Sequence, residues 1–299
     1  MNWFPFAIWA AISSATTDAI LKARFSHLSS ASMAAIRCSA PAIFLFPALF
    51  FINWPRLDIE FFKTLLFLLP LEIIALILYM RAIQISDLSI TIPFLAFTPV
   101  FALFTGWLIL GELPKLLGII GVLLTVIGGY SLNISESKHG LLEPIKCIFK
   151  EKGSSLMLIV AAIYSVTSVL GKKAVLLSAP LFFACFYFSL LSIVVPIVLS
   201  PFWLKDIKKI RDKLNSKTSL SSSIISYLAV AVSQASMVLC HFWAISLVDV
   251  AYMISVKRTS LFFSVIYGKI LFKEQRILER LVGVAFMLVG ITLILFSKG

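Results

Sequence analysis

The side chains with chemistry to offer sit where they are least expected, inside long apolar runs. Lys257 and Arg258 are adjacent in YMISVKRTSLFFSVIYGKILFK, residues Tyr252–Lys273. A cation facing hydrocarbon costs about 2.5–3.5 kcal/mol on insertion scales, so a neighbouring pair demands an interior face. There an arginine can hold a carboxylate or phosphate through two parallel hydrogen bonds, while a lysine acts as a point charge. Lys257, Ser260, Ser264 and Gly268 follow the i, i+3, i+7, i+11 spacing of one helical face, a polar and small stripe on a Phe/Leu/Ile helix. Arg258 lies about 100° round from Lys257, where it lines the same space or satisfies the protein's own carbonyls or Glu72.

Glu72 is the matching oddity, a carboxylate deep in an apolar window. Paired with a lysine or arginine it stays charged, and unpaired it takes a proton. Three roles are open to it: neutralising the cations, coupling a proton, or holding a substrate ammonium. His241 titrates in the range that proton coupling uses, though a lone membrane histidine is as readily a hydrogen-bonded structural group. Tyr79, Gln234, Trp243, Tyr252 and Phe262 are further candidates for a cavity wall, with packing as the competing role of the aromatics. Asp18, beside Ser14 and Thr17, reads as a cavity wall or a helix-end residue, and Arg37 as structural or at the headgroups.

These residues must be positioned by membrane helices. The chain is 60% hydrophobic and 13% charged over 299 residues, with mean hydropathy +1.03; soluble domains carry about twice that charge. Apolar windows fall at 4–21, 33–52, 64–81, 88–110, 116–132, 154–171, 181–203, 222–245, 250–271 and 279–297. Period-2 alternation is absent, and backbone groups in lipid must pair within their own segment, so each window predicts an α-helix. The first lacks a basic leader and reads as a retained span. The net charge of +12 fits loops facing anionic headgroups, and no module for nucleic acid accompanies it. Cys38, Cys147, Cys185 and Cys240 stand apart, with neither disulfide nor metal spacing.

The chain repeats itself. A shift of 162 residues carries Ala82-Ile83 onto Ala244-Ile245, Asp87 onto Asp249, Gly106 onto Gly268, Glu112 onto Glu274, Gly121-Val122 onto Gly283-Val284 and Gly128 onto Gly290. The same shift pairs Glu72 with Gln234 and Tyr79 with His241, and sets Lys257-Arg258 against the neutral Leu95-Ala96. At a different offset, Ala10-Ala11-Ile12 matches Ala161-Ala162-Ile163. The expected fold is an all-α membrane protein of ten transmembrane helices, arranged as two inverted five-helix repeats: residues 1–132, a polar linker 133–153, and 154–299. An odd number of spans inverts the second copy, and that architecture places a substrate site near the midplane, at the repeat interface. The repeated glycines predict close helix contacts, and Pro93 and Pro99, unmatched in span nine, predict a hinge or a fixed kink in span four.

Taken together, Arg37, Gly106…Gly111-Glu112, Gly268…Lys273-Glu274 and the G-x6-G pairs resemble the drug/metabolite transporter superfamily, EamA type. The resemblance covers nearly the whole chain and implies a transporter, with substrates ranging from amino acids and sugars to nucleotide precursors and drugs. Lys257-Arg258 also resembles the triose-phosphate and nucleotide-sugar branch, where an adjacent Lys-Arg in the ninth helix contacts substrate phosphate. Lys172 and Lys173, ending span six, read as snorkelling anchors, with an echo of a basic residue of that branch's sixth helix as the alternative. Loops one, three, five, seven and nine hold sixteen Lys/Arg and the other face six, which puts both termini outside by the positive-inside rule, whereas the resemblance implies termini inside.

The expected function is therefore secondary active export or exchange, by alternating access, of a small metabolite with an anionic group: an amino acid, carboxylate or organic phosphate. Its site is Lys257, Arg258, Glu72, Gln234, His241, Tyr79, Ser260 and Ser264. The alternatives are a multidrug or cationic-amphipath exporter centred on Glu72, and a lipid-linked sugar flippase subunit. No nucleotide-binding loop or catalytic set is present, so no enzyme and no cofactor is expected, with proton coupling left open. The expected partners are the small-molecule substrate and the bilayer, with a monomer or homodimer in a bacterial inner membrane.

Overall fold

The computed structural model describes residues 3–85, 92–134, 152–206, 217–272 and 281–298. Most of the 133–153 linker, much of the loop between spans seven and eight, Asp87, Cys147 and Lys273-Glu274 lie outside them.

Every regular element among the described residues is helical. The first half forms α1 (Phe4–Phe25), α2 (Ser30–Ser39), α3 (Ala42–Ala48), α4 (Ile59–Ile85), a 3-10 segment (Ile92–Phe97), α5 (Thr98–Leu110) and α6 (Leu116–Ile134). The second forms α7 (Lys152–Leu176), α8 (Pro180–Val198), the short α9 (Ser200–Trp203), a 3-10 turn (Leu204–Asp206), α10 (Lys217–Leu247), α11 (Val250–Lys257), α12 (Ser260–Phe272) and α13 (Leu281–Lys298). Among the described residues, six helices are long and apolar enough to cross a bilayer, and shorter apolar helices cover Phe94–Leu110, Leu116–Ser131 and Gly283–Ser297. Their outer faces carry large apolar side chains such as Leu66, Leu116 and Phe296, each more than 65% exposed, as a lipid-facing surface requires.

Local sequence explains the ends and breaks. Ser29 caps α2 by accepting from the Ser32 backbone N–H, and Pro180 opens α8 where its missing N–H is not needed. Window two is split at Ala40-Pro41 into α2 and α3. Gly111 ends α5 in the left-handed region, φ 68°, a conformation that costs glycine little.

The two halves are interleaved, and their packing has a two-fold logic. α1 packs on α10 as α4 packs on α7; α5 packs on α7 as α11 and α12 pack on α1; α2 and α3 meet α8; and α6 meets α13 in the most extensive helix pair. Exchanging the repeats turns each of these contacts into another of the set. At the α6–α13 crossing a Cβ on Gly121 would lie 2.6 Å from the Gly290 carbonyl, and one on Gly128 would lie 2.5 Å from the Gly283 carbonyl. The 162-residue shift carries one contact onto the other, and the paired order shows that the helices run antiparallel. The glycines expected to make close helix contacts do so at these four positions.

Spans four and nine are both interrupted, and at matched places. The 3-10 segment gives way to α5 at Thr98, with Pro99 in its first turn. In span nine, α11 ends at Lys257, the Thr259 N–H turns back to Val256, and α12 begins at Ser260. The shift carries Thr98 onto Ser260. Span four is interrupted where Pro93 and Pro99 predict a hinge or a fixed kink, and span nine breaks as well without a proline, through a tightened turn of the kind that marks mid-helix hinges.

Candidate functional site

The tightened turn in span nine sets the cations. Lys257 is the last residue of α11 and Arg258 its C-cap, both half-buried between helices. Lys257 Nζ lies 3.4 Å from His241 Nδ1 on α10. With the ammonium as donor the imidazole nitrogen accepts, and in that tautomer the ring proton sits on Nε2. Arg258 Nη2 donates to Thr98 Oγ1 at 2.7 Å. Thr98 is fully buried and spends its own proton on the Leu95 carbonyl, 2.7 Å away, so its oxygen is free to accept. Arg258 Nε is buried and has no hydrogen-bond partner among the described residues.

Neither cation forms an ion pair among the described residues; their polar contacts are to the neutral His241 and Thr98. Glu72, half-buried on α4, has Thr167 of α7 beside its carboxyl and lies within electrostatic range of Lys257 and Arg37. Arg37 of α2 is already engaged with Asp18 of α1. The interior is left with two cations in Lys257 and Arg258 against one carboxylate in Glu72. Desolvated charge without a bonded counter-ion is costly, and an entering anion relieves it.

The remaining candidates divide. Tyr79 packs with Tyr164 against Ala82, Phe94 and Ala161, in the electrostatic reach of both Arg37 and Arg258. Gln234 is 3% exposed, on the His241 face of α10, and its Oε1 has no hydrogen-bond partner among the described residues. Ser260 is half-buried at the start of α12, but Ser264 is exposed. The tightened turn at Arg258–Thr259 disturbs the regular α-helical phase that would have carried the stripe from Lys257 to Ser264. Tyr252 packs instead of lining a cavity: it is 1% exposed, fills the space over Gly118, and its hydroxyl is 3.0 Å from Ser297 Oγ.

Several participants escaped sequence reasoning. Thr98 could have been found, because the shift pairs it with another hydroxyl residue, Ser260. Tyr187, stacked on Phe183, has a buried hydroxyl without a partner and lies in the electrostatic neighbourhood of Glu72 and Tyr164. Nothing in its aromatic-rich window, PLFFACFYFSLL, sets it apart. Lys172 is the clearest correction: it is 8% exposed and ion-paired with Glu112, not a snorkelling anchor.

A family model, the EamA-like transporter family, matches residues 1–134 and again 151–296, once on each half of this pseudo-symmetric bundle. The chain belongs to the EamA-like transporter family. A crystal structure of a protein 10% identical superposes with a TM-score of 0.73, covering 99% of this chain and 97% of that one, and shares the fold. No curated protein matches the chain. As an EamA-like transporter the protein is multi-pass and membrane-embedded, and Lys257 and Arg258 fall inside the second matched half, at the break between α11 and α12.

Proposed function

We propose that this EamA-like transporter crosses a bacterial inner membrane ten times and exports or exchanges a small metabolite bearing an anionic group, by alternating access. The carrying observation is that Lys257 and Arg258 are held in the bundle by neutral acceptors, with no bonded carboxylate among the described residues. Arg258 receives a carboxylate or phosphate through its guanidinium, and Lys257 adds a point charge beside it. Glu72 limits the positive charge of the empty site. It can also receive a substrate ammonium or a proton, so an amino acid suits the site as well as a simple carboxylate or phosphate. Tyr79, Gln234 and Ser260 offer hydroxyl and amide contacts to the rest of the molecule, and Ser264 contributes only if the substrate reaches the outer part of α12.

Alternating access needs two places where helices can bend near the midplane, and the matched interruptions at Thr98 and Ser260 supply one in each repeat. The test is a thermal-shift screen of purified protein against a metabolite library. The reading requires stabilisation by one class of anionic compound and none by lipophilic cations. Stabilisation by lipophilic cations alone would transfer the site to Glu72 and the function to drug export.

A further inference from the structure

A second polar cluster lies away from the cations, at one end of the bundle. Lys172, in the last turn but one of α7, is paired with Glu112, just beyond α5, and also donates to the Val248 carbonyl at 2.7 Å. Glu112 Oε2 accepts from the Val250 backbone N–H at 2.8 Å. The two side chains are 10% and 11% exposed. Three chain segments therefore meet on one ion pair: the end of α5 from the first repeat, and the end of α7 and the α10–α11 turn from the second.

The sequence is shaped to allow it. The left-handed Gly111 turns the chain back so that the Glu112 N–H reaches the Gly106 carbonyl at 3.2 Å. Gly106 leaves room for the returning carboxylate, since a Cβ there would stand 3.2 Å from Glu112 Oε2. The carboxylate thereby satisfies the backbone N–H of Val250, the first residue of α11. Glu112 is thus a cap supplied by the opposite repeat to the eight-residue helix that ends at Lys257. Such a helix is about 12 Å long.

We infer that Glu112 and Lys172 form the gate that closes this end of the transporter, and that they position Lys257 and Arg258 through α11. In an inverted repeat that rocks, contacts joining the two repeats at one end must part when that end opens. This pair is such a contact, and its partners are charges and backbone groups that water can replace once it enters. Because Glu112 holds the first turn of α11, parting the gate releases the helix that carries the cations. The seal and the site then change in one movement.

The experiment places nitroxide labels on cysteines at Leu113 and Leu176, both exposed and each within four residues of the gate, in protein whose native cysteines are serine. Electron–electron distances are measured in lipid nanodiscs. The parent and Lys172→Arg should give the same short distance, while Glu112→Gln and Lys172→Met should shift the distribution to longer values. If those two do not accumulate as folded protein, Glu112→Asp, with the carboxylate drawn back by one methylene, is read in their place. Unchanged distances together with a lowered melting temperature would overturn the gate and leave a structural staple. No substrate enters the measurement, so a failure to find an anionic ligand would not bear on it.

Discussion

Arg258 and Thr98 join the two repeats at the points where each is broken. The guanidinium of span nine donates at 2.7 Å to the hydroxyl that opens α5 in span four, and the 162-residue shift carries Thr98 onto Ser260, two residues after Arg258. A near-symmetric scaffold thus spends its asymmetry at one place, with charge on one side of the axis and the acceptor on the other.

Removing that acceptor should loosen Arg258 without removing its charge. Thr98→Val keeps the shape but leaves the guanidinium unsatisfied, and a hydrogen bond to a charged group is worth about 1.5–3 kcal/mol. The affinity for the anionic ligand should fall by about tenfold or more, while Thr98→Ser should stay near the parent. Isothermal titration of the three proteins checks this.

Glu72 opposes the cations. Glu72→Gln should raise affinity for an anion severalfold, since the repulsion between that carboxylate and the ligand disappears, and should weaken any competing cation. Ligand-dependent melting shifts with an anion and with a lipophilic cation read both arms. Loss of anion binding in the variant would mean that Glu72 contacts the substrate directly.

The two ion pairs should differ in their contribution to stability. Lys172 and Glu112 are nearly enclosed, so Lys172→Met strands a buried carboxylate and should cost about 3–5 kcal/mol. Asp18 is 46% exposed and its partner Arg37 24%, so Asp18→Asn should cost less than about 1 kcal/mol. Thermal melting in one detergent compares them.

The architecture was legible because it rests on composition and on recurrence. Lipid imposes helices, and Gly121, Gly128, Gly283 and Gly290 recur because a pseudo-symmetric crossing needs the same close approach twice. The site was legible as a list of costly residues and not as a set of contacts. Lys257 and Arg258 announce themselves energetically, but the hydroxyl that holds Arg258 is 160 positions away. The break in span nine was hidden because no proline marks it, and Lys172 was misread because helix-end lysines usually point to headgroups. Whether a helix end meets lipid or another helix is decided by tertiary packing.

Two glycines separate crowding from mere helicity. A Cβ on Gly128 would meet the Gly283 carbonyl at 2.5 Å, whereas on Gly171 the nearest atom is Phe242 Cε1 at 3.3 Å. Backbone cannot yield as a ring can, so Gly128→Ala should lose about 1–3 kcal/mol. Gly171→Ala should be neutral or slightly stabilising, since alanine is favoured over glycine in helices by about 1 kcal/mol. Melting temperatures decide it.

The central claim is that Lys257 and Arg258 hold the substrate's anionic group, and flux measures it most directly. Parent, Lys257→Ala, Arg258→Ala and the double variant are reconstituted into liposomes loaded with the anionic compound that stabilises the parent. Exchange against external labelled compound is then followed. Each single variant should raise the half-saturating concentration at least tenfold, and the double variant, monodisperse and inserted, should exchange nothing above empty liposomes. Parent-like exchange by the double variant would contradict the account.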